Sequence, residues 1–242
     1  MRKPLIATLL SAAAILASCT GCGTVLGIGP EHIKKDSLEP SGVIRSIDIA
    51  SGSGTINLST GPAVEVHRTV RYNGDAPDGL SGPVDGRLTL GNCAHCSTDY
   101  EITAPAGTVL DLNAGSGRIH VVGFTAAVTA TADSGDINAE HLTGKVRLTT
   151  DSGDITANGL ADATALKAGS GDITAAFVSP AKTITANTGS GNVDLQVPAG
   201  PYRITSDTSS GAKHIETPQA PTAAHTIQVK TGSGDIRITS TP

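Results

Sequence analysis

A four-residue motif, Ser-Gly-Asp-Ile, returns at a fixed interval in this chain of 242 residues and limits the folds that the chain can adopt. It occupies Ser134–Ile137, returns 18 residues later at Ser152–Ile155, and returns after 18 more at Ser170–Ile173. A short sequence that recurs at one spacing is typical of a repeat architecture. Aligned on the serine, the copies and their degenerate forms are centred on Ser53, Ser116, Ser134, Ser152, Ser170, Ser190, Ser210 and Ser233.

Apolar and polar residues alternate on both sides of each Ser-Gly turn. In four consecutive copies the third residue after the serine is isoleucine, and the fifth is valine or alanine. A period of two indicates strands with one buried face, and the abundance of glycine and threonine opposes a helix. Each copy is therefore predicted to be a strand, a tight turn, a second strand and a looser turn. The isoleucines are Ile119, Ile137, Ile155 and Ile173.

Two arrangements of these strands fit the pattern: an antiparallel meander, in which each Ser-Gly turn is a hairpin tip, and a β-solenoid. The solenoid accounts for more of the sequence, because it stacks equivalent isoleucines in one internal ladder about 4.8 Å apart. It also accounts for a composition with 29 glycines, two phenylalanines and no tryptophan, since a narrow coil has room mainly for small and β-branched side chains. We predict an all-β, single-stranded β-solenoid, similar to a β-helix, with coils of about 18–20 residues.

Two stretches depart from the regular repeat. The 63-residue interval between Ser53 and Ser116 equals about three coils, and an irregular loop is predicted within it at Asn73–Gly79. Lys213 stands where the other copies have an apolar residue, which predicts a slip or bulge with Ile215 taking the inward position. Degenerate strands in the long interval are expected at Val64–Val70, Leu88–Leu90 and Tyr100–Ile102.

The N-terminus has the pattern of an export signal. A short basic segment precedes an apolar run, Leu5–Ala17, which is shorter than the ~20 residues that a membrane-spanning helix needs. The run ends in Leu16-Ala17-Ser18-Cys19, which resembles the lipobox of bacterial lipoproteins. The resemblance implies cleavage before Cys19 and a diacylglycerol on its sulfur, which would hold the protein at a membrane surface. Ordinary cleavage without lipidation is the alternative, and Cys22 is a weaker candidate for the lipid.

These features divide the chain into three parts. Residues 1–18 are predicted to be a signal peptide, residues 19–42 a lipidated cysteine with a tether, and residues 43–242 the β-solenoid domain. The recurring turn, together with Val197–Tyr202, resembles the DUF4097 family of bacterial adhesin-like proteins over about residues 43–242. The resemblance implies a right-handed β-solenoid, an extracytoplasmic location and an adhesin-like or envelope role. It carries no catalytic residues over to this chain.

The turn aspartates are the first candidates for chemistry, because a solenoid would stack several of them in a row. Carboxylates at such spacing repel each other unless water or a cation screens them, so a Ca²⁺ ladder is one interpretation. The other is structural: aspartate satisfies backbone N–H groups in an Asx-type turn, glycine supplies a positive φ, and serine bonds to the local backbone. We favour the structural role and predict no metal site and no cofactor. The repeat-turn positions are Ser134, Gly135, Asp136, Ser152, Gly153, Asp154, Ser170, Gly171, Asp172, Ser233, Gly234 and Asp235.

A Cys-x-x-Cys pair lies outside the regular repeats, at Cys93 and Cys96. In an exported protein an oxidised pair is favoured over a metal or redox centre. Zinc would need two further ligands near by, and a thioredoxin-type centre would need a helix after the first cysteine. We predict a local disulfide that closes a short loop.

Composition and motifs favour a non-enzymatic role. The chain carries 17 basic and 22 acidic residues, a net charge of −5, which argues against a nucleic-acid partner. The sequence has no nucleophile–base set, metal motif or phosphate loop, so no catalytic residue is predicted.

Two function classes then remain. The first is a lipid-anchored solenoid that presents a polar face to an unknown envelope protein or surface ligand. The second is an accessory or regulatory protein of an envelope stress-response system. A polysaccharide-active β-helix enzyme is less favoured, because it would need paired carboxylates and sugar-stacking aromatic residues.

Overall fold

The computed structural model describes residues 31–241, a range that is all β and contains no helix long and apolar enough to cross a bilayer. Residues 1–18, Cys19 and Cys22 lie outside this range, so the export and lipidation predictions stay predictions. The strands are β1 (His32–Leu38), β2 (Ser46–Ser51), β3 (Ile56–Thr60), β4 (Glu65–Tyr72), β5 (Arg87–Leu90), β6 (Cys96–Ala104), β7 (Val109–Ala114), β8 (Ile119–Val122), β9 (Val128–Ala132), β10 (Ile137–Glu140), β11 (Val146–Thr150), β12 (Ile155–Leu160), β13 (Thr164–Ser170), β14 (Ile173–Phe177), β15 (Thr183–Ser190), β16 (Val193–Pro198), β17 (Arg203–Ser210), β18 (Lys213–Ile215), β19 (Thr226–Ser233) and β20 (Ile236–Thr241).

The strands form two sheets in which neighbouring coils stack in parallel. The larger sheet has eleven strands in the order β1-β4-β6-β3-β8-β10-β12-β14-β16-β20-β18. The smaller sheet has nine strands in the order β17-β19-β15-β13-β11-β9-β7-β2-β5. Each coil supplies one strand to each sheet, so that β9 and β10 form a coil between β7–β8 and β11–β12. This is a β-solenoid, as the sequence predicts, and the antiparallel meander is wrong.

The core fills the narrow space between the two sheets. Ile137 lies in register beside Ile119 and Ile155, and Ile155 lies beside Ile173. All four side chains are fully buried, and so is Ala157 at the next inward position of β12. Each buried isoleucine stabilises the fold by about 1.5–3 kcal/mol relative to exposure. The ladder of isoleucines and small residues predicted from the sequence is therefore the centre of the fold.

At the N-terminal end, the order of the coils in space differs from their order in the chain. β2 and β3 form the first coil in sequence, but β5 and β6 pack outside it. The strand predicted at Val64–Val70 is β4, and it runs antiparallel to β6 instead of forming a coil. Leu88–Leu90 and Tyr100–Ile102 lie in strands and Asn73–Gly79 in a loop, as predicted. The long interval thus contains one complete coil, β5–β6, and an antiparallel strand, although its length equals that of about three coils.

Part of the predicted tether is a strand. β1 pairs antiparallel with β4 over all seven of its residues. The Asp36 carboxylate on β1 forms an ion pair with Arg68 of β4, whose side chain is almost fully buried. The folded domain therefore begins by residue 32, and the tether prediction is wrong for residues 32–38. The sequence did not indicate this strand because no residue of β1 is fully buried, so that it lacks a clear apolar alternation.

The C-terminal end has the same kind of inversion. The β19–β20 coil, which is the last in sequence, lies between the β15–β16 coil and the β17–β18 coil. The β17–β18 coil therefore forms the end of the stack. Lys213 lies in register beside Ile236, and Ile215 beside Ile238, so the predicted slip at Lys213 is wrong. Lys213 is exposed, and its Nζ donates a hydrogen bond to the carbonyl oxygen of Ser206 at 2.8 Å. We call β17 and β18 the cap coil, because polar residues end the stack there.

Candidate interaction surfaces

The Ser-Gly turns stack along one narrow edge of the solenoid, with backbone against backbone. A Cβ added to Gly135 would lie 1.8 Å from the carbonyl oxygen of Gly117. The same approach to the preceding coil recurs at Gly153, at 2.3 Å, and at Gly171, at 2.0 Å. Gly135, Gly153 and Gly171 do not have a positive φ, so the predicted reason for glycine is wrong at these positions. Glycine is required because adjacent coils approach too closely for any side chain.

The serines of the turns form an exposed row on the same edge. Ser134, Ser152, Ser170 and Ser233 are all exposed to solvent. Within residues 31–241 their hydroxyls have no hydrogen-bond partner, so the predicted bond from serine to the local backbone is not formed. The backbone takes that role instead, since the Ser134 N–H donates to the carbonyl oxygen of Gly115 in the preceding coil at 2.9 Å.

The turn aspartates form a ladder of hydrogen bonds between coils. Asp136 Oδ1 accepts the backbone N–H of Asp154 at 3.1 Å, and Asp154 Oδ1 accepts that of Asp172 at 2.8 Å. The ladder continues through Asn192 and Asp235 towards the cap coil. The side chains satisfy backbone N–H groups, but each donor belongs to the next coil. The local Asx-type turn that the sequence suggested is therefore wrong.

The surroundings of the ladder are polar and open. Asp154 and Asp172 are exposed, and Asp136 is half-buried with its Oδ2 at 3.6 Å from a guanidinium nitrogen of Arg118. Water can screen carboxylates in such a position. Across the part of the chain that the structure describes, no group of three or more His, Cys, Asp or Glu is placed to hold a metal ion. The ladder is best explained as a link between coils.

Replacing Asp154 with alanine is expected to lower the free energy of unfolding by about 1 kcal/mol, because the N–H of Asp172 loses its partner. Asp154→Asn keeps the Oδ1 acceptor and is expected to cost less than about 0.5 kcal/mol. Asn192 already accepts such a bond, from the N–H of Asp235 at 2.9 Å. Equilibrium unfolding in urea compares the variants. A calcium ladder predicts the opposite pattern: equal damage from both substitutions, and a melting temperature that falls when a chelator is added.

The cysteine pair lies at the N-terminal end of the solenoid. Cys93 and Cys96 are joined by a disulfide, and Cys96 begins β6. On the adjacent strand, a side-chain hydrogen bond of 2.6 Å to Asp99 raises the pKa of Arg71 above its usual value. Burial raises the pKa of Tyr100, whose hydroxyl donates to a carbonyl oxygen of the β5–β6 loop at 2.6 Å. We assign these contacts a structural role in ordering the end of the stack.

The outer face of the larger sheet has a shallow depression of about 370 Å³ near its N-terminal end. Glu65, Glu101, His67 and His120 lie on its lining, and His120 Nε2 is 3.5 Å from Glu140 Oε1. Two carboxylates on a concave face are one requirement of an enzyme that hydrolyses polysaccharide. Such enzymes commonly also stack a sugar on Phe, Tyr or Trp, and none of these three is among the described residues that line the depression.

The outer face of the smaller sheet has a second depression, of about 320 Å³, which we call the basic trough. The sequence did not predict the trough, because the outward-facing residues of a strand show only that its outer face is polar. The trough forms only when certain residues become neighbours in the stack. Identifying those neighbours requires knowledge of how the strands of adjacent coils are aligned. Its outward-facing residues are Ala127, Thr129, Lys145, Arg147, Ala163, Ala165, Thr183 and Thr185.

The stacked sheets, the internal ladders and the polar cap coil place this chain in the class of β-solenoid repeat proteins. The family model of Toastrack DUF4097 matches residues 39–239. The chain therefore belongs to this family, as the resemblance in its turns implied. The match begins at residue 39, directly after β1, so it covers the stacked coils and leaves β1 outside.

Two solved structures are similar to this chain. One is a candidate adhesin from Bacteroides fragilis, with a TM-score of 0.52 and 14% sequence identity over 86% of this chain and 97% of that chain. The other is a candidate cell adhesion protein from Clostridium sporogenes, with a TM-score of 0.37 and 13% identity over 88% of this chain and 100% of that chain. The first likeness extends the shared fold to a distant sequence. Comparison with curated proteins gives no match.

Proposed function

We propose that this protein is a non-enzymatic, lipid-anchored β-solenoid on the extracytoplasmic side of a cell membrane, where it binds an envelope protein or a surface ligand. The observation that carries the proposal is the continuous polar outer face of each sheet. The nine strands of the smaller sheet, stacked about 4.8 Å apart, make a face about 38 Å long. Repetitive faces of this kind suit several weak contacts with one extended ligand. Membership of the family and the fold shared with a candidate adhesin support this role.

A lipid on Cys19 would attach the protein by one end of the solenoid. β1 and β5 are the edge strands at that end, and β17 and β18 are the edge strands at the other. Because β1 is the first described strand after Cys19, the cap coil lies farthest along the stack from the anchor. Both outer faces would then extend away from the membrane and be open to a ligand.

Growth of cells with an alkyne-labelled fatty acid tests the anchor. Cys19→Ala is expected to abolish labelling and to release the protein from the membrane fraction, whereas Cys22→Ala is expected to preserve both. Labelling that survives in Cys19→Ala and is lost in Cys22→Ala would contradict the assignment of the lipid to Cys19.

Cross-linking in intact cells, followed by isolation of this chain, identifies what the faces bind. Capture of a surface polymer or of several envelope proteins would support the proposal. Capture of a single stoichiometric partner from a stress-sensing membrane system would support the accessory or regulatory role instead. Release of sugar reducing ends from polysaccharide by the purified protein, lost in Glu101→Gln, would contradict the non-enzymatic assignment.

A further inference from the structure

The basic trough places two cations beside a row of very small side chains. Lys145 directly precedes β11 and Arg147 is the second residue of that strand, so the two face the same side about 7 Å apart along the chain. Arg147 lies in register beside Ala165 of β13, and Ala165 lies beside Thr185 of β15. The alanine between them leaves an open space bounded by cations on one side and a hydroxyl on the other.

The two cations of the trough have no partner in the part of the chain that the structure describes. Within residues 31–241, the side chains of Lys145 and Arg147 have no hydrogen-bond or ion-pair partner. Among the described residues, Lys167 on the same face of β13 also has no such partner, whereas Arg68, Arg71 and Arg87 each form an ion pair with an aspartate. Two adjacent unpaired cations on a chain whose net charge is −5 are complementary to an anionic group on a ligand.

The lining of the trough favours a carbohydrate over a protein. A protein interface is usually centred on a large aromatic or aliphatic anchor, and the large hydrophobic residues that are exposed in this structure all lie outside the trough. The threonine hydroxyls at its sides can each donate and accept hydrogen bonds, as sugar hydroxyls do. Those exposed hydrophobic residues are Ile33, Val43, Val84, Val109 and Val178.

Charges of both signs lie at the two ends of the strands that form the trough, since the exposed Lys167 and Lys182 are interspersed with carboxylates. Asp133 and Asp151 are exposed at the Ser-Gly edge, and Asp162 precedes the alanine Ala163 at the opposite edge. A polymer with a charge on every unit would meet these carboxylates and be repelled. Because cations and carboxylates alternate around the trough, the surroundings favour a ligand whose negative charges are spaced apart and separated by neutral polar groups.

We propose that the basic trough binds an acidic polysaccharide in which a carboxylate-bearing sugar alternates with a neutral sugar. The Arg147 guanidinium can hold a carboxylate through two parallel hydrogen bonds, and Lys145 adds a second positive charge. The neutral sugar lies over Ala163 and Ala165, within reach of the threonine hydroxyls. This inference rests on the proposed role in surface binding and names the class of ligand.

Binding of the full-length protein, in detergent micelles, to immobilised hyaluronan tests this assignment, because that polymer carries one carboxylate on every second sugar. Lys145→Ala/Arg147→Ala is expected to weaken binding at least tenfold. The control, Lys230→Ala/Arg237→Ala, removes the same charge from exposed positions outside the trough and is expected to change binding less than twofold. Both double variants are expected to melt within a few degrees of the parent protein, since exposed substitutions rarely alter stability by more than about 0.5 kcal/mol.

Chemical reduction of the hyaluronan carboxylates to alcohols is expected to abolish binding. Equal losses in the two double variants would overturn the trough as the site, because diffuse attraction would then account for binding. Tighter binding of polyphosphate, lost in Lys145→Ala/Arg147→Ala, would overturn the carboxylate assignment. If none of these polymers binds while cross-linking in cells still captures an envelope ligand, the trough proposal fails and the proposed function stands. If cross-linking also captures nothing, the proposed function fails as well.

Discussion

Replacing Gly135 with alanine is expected to lower the free energy of unfolding by about 3 kcal/mol or more, as severe overpacking does. The added Cβ would lie 1.8 Å from the carbonyl oxygen of Gly117. That oxygen belongs to the backbone of a packed coil, so no side chain can turn aside to make room. For a domain of this size, the loss corresponds to a fall of about 6–12 °C in melting temperature, measurable by circular dichroism.

Two further variants test whether the effect of Gly135→Ala comes from contact between adjacent coils or from another consequence of the substitution. Gly107→Ala is the matched control, because its added Cβ would have no atom within 4 Å. It is expected to be neutral or slightly stabilising, since alanine restricts the unfolded chain. Ser134→Ala changes the neighbouring exposed residue and is expected to shift stability by less than about 0.5 kcal/mol. A loss at Gly107 as large as that at Gly135 would contradict the explanation by contact between coils.

The arrangement of the central coils could be predicted because each coil contains, in its own sequence, the pattern that determines its strands and its turn. Each coil contains its own alternation and its own turn, and its neighbours in the stack repeat them. Equal spacing therefore places Ile137 beside Ile119 and Ile155 without further assumptions. The thin core follows from the same alignment, since Ala139 and Ala157 occupy one inward position in consecutive coils.

The order of the coils at the two ends could not be predicted in this way. Any coil with the same alternation of apolar and polar residues can pair with a given coil in a parallel sheet. The sequence therefore does not show whether the adjacent coil is the next one in the chain or a later one. The polar residues at inward positions carry the missing information. Ser206 and Lys213 replace apolar residues because the cap coil covers one end of the core and has solvent beyond it.

The candidate site was predicted only in part, for a related reason. The turn aspartates were expected to satisfy backbone N–H groups, but a single copy of the motif cannot reveal that the donor lies one coil away. The basic trough depends even more strongly on stacking. Lys145 and Arg147 are ordinary outward residues until Ala163 and Ala165, one coil later, leave space beside them.

Substitutions at two isoleucines of the C-terminal region provide the sharpest test of the inserted coil. Ile238 is fully buried between Leu195 of β16 and Ile215 of β18. Ile238→Ala is expected to lower the free energy of unfolding by about 2–5 kcal/mol, the cost of a cavity in a packed core. Ile215 is partly exposed in the cap coil and has a coil on one side only. Ile215→Ala is therefore expected to cost about 1 kcal/mol, the usual effect of a single substitution.

Urea unfolding of these two variants distinguishes the inserted order from a sequential stack. In a sequential stack β19 and β20 would form the end, so Ile238→Ala would be mild and Ile215→Ala severe. The expected ranking is the reverse, because Ile238 lies inside the stack and contacts a coil on each side. Hydrogen exchange provides an independent measurement, since amides of an inner coil open less readily than those of a terminal one. The amides of β20 are therefore expected to exchange more slowly than those of β18, although β20 ends the described chain.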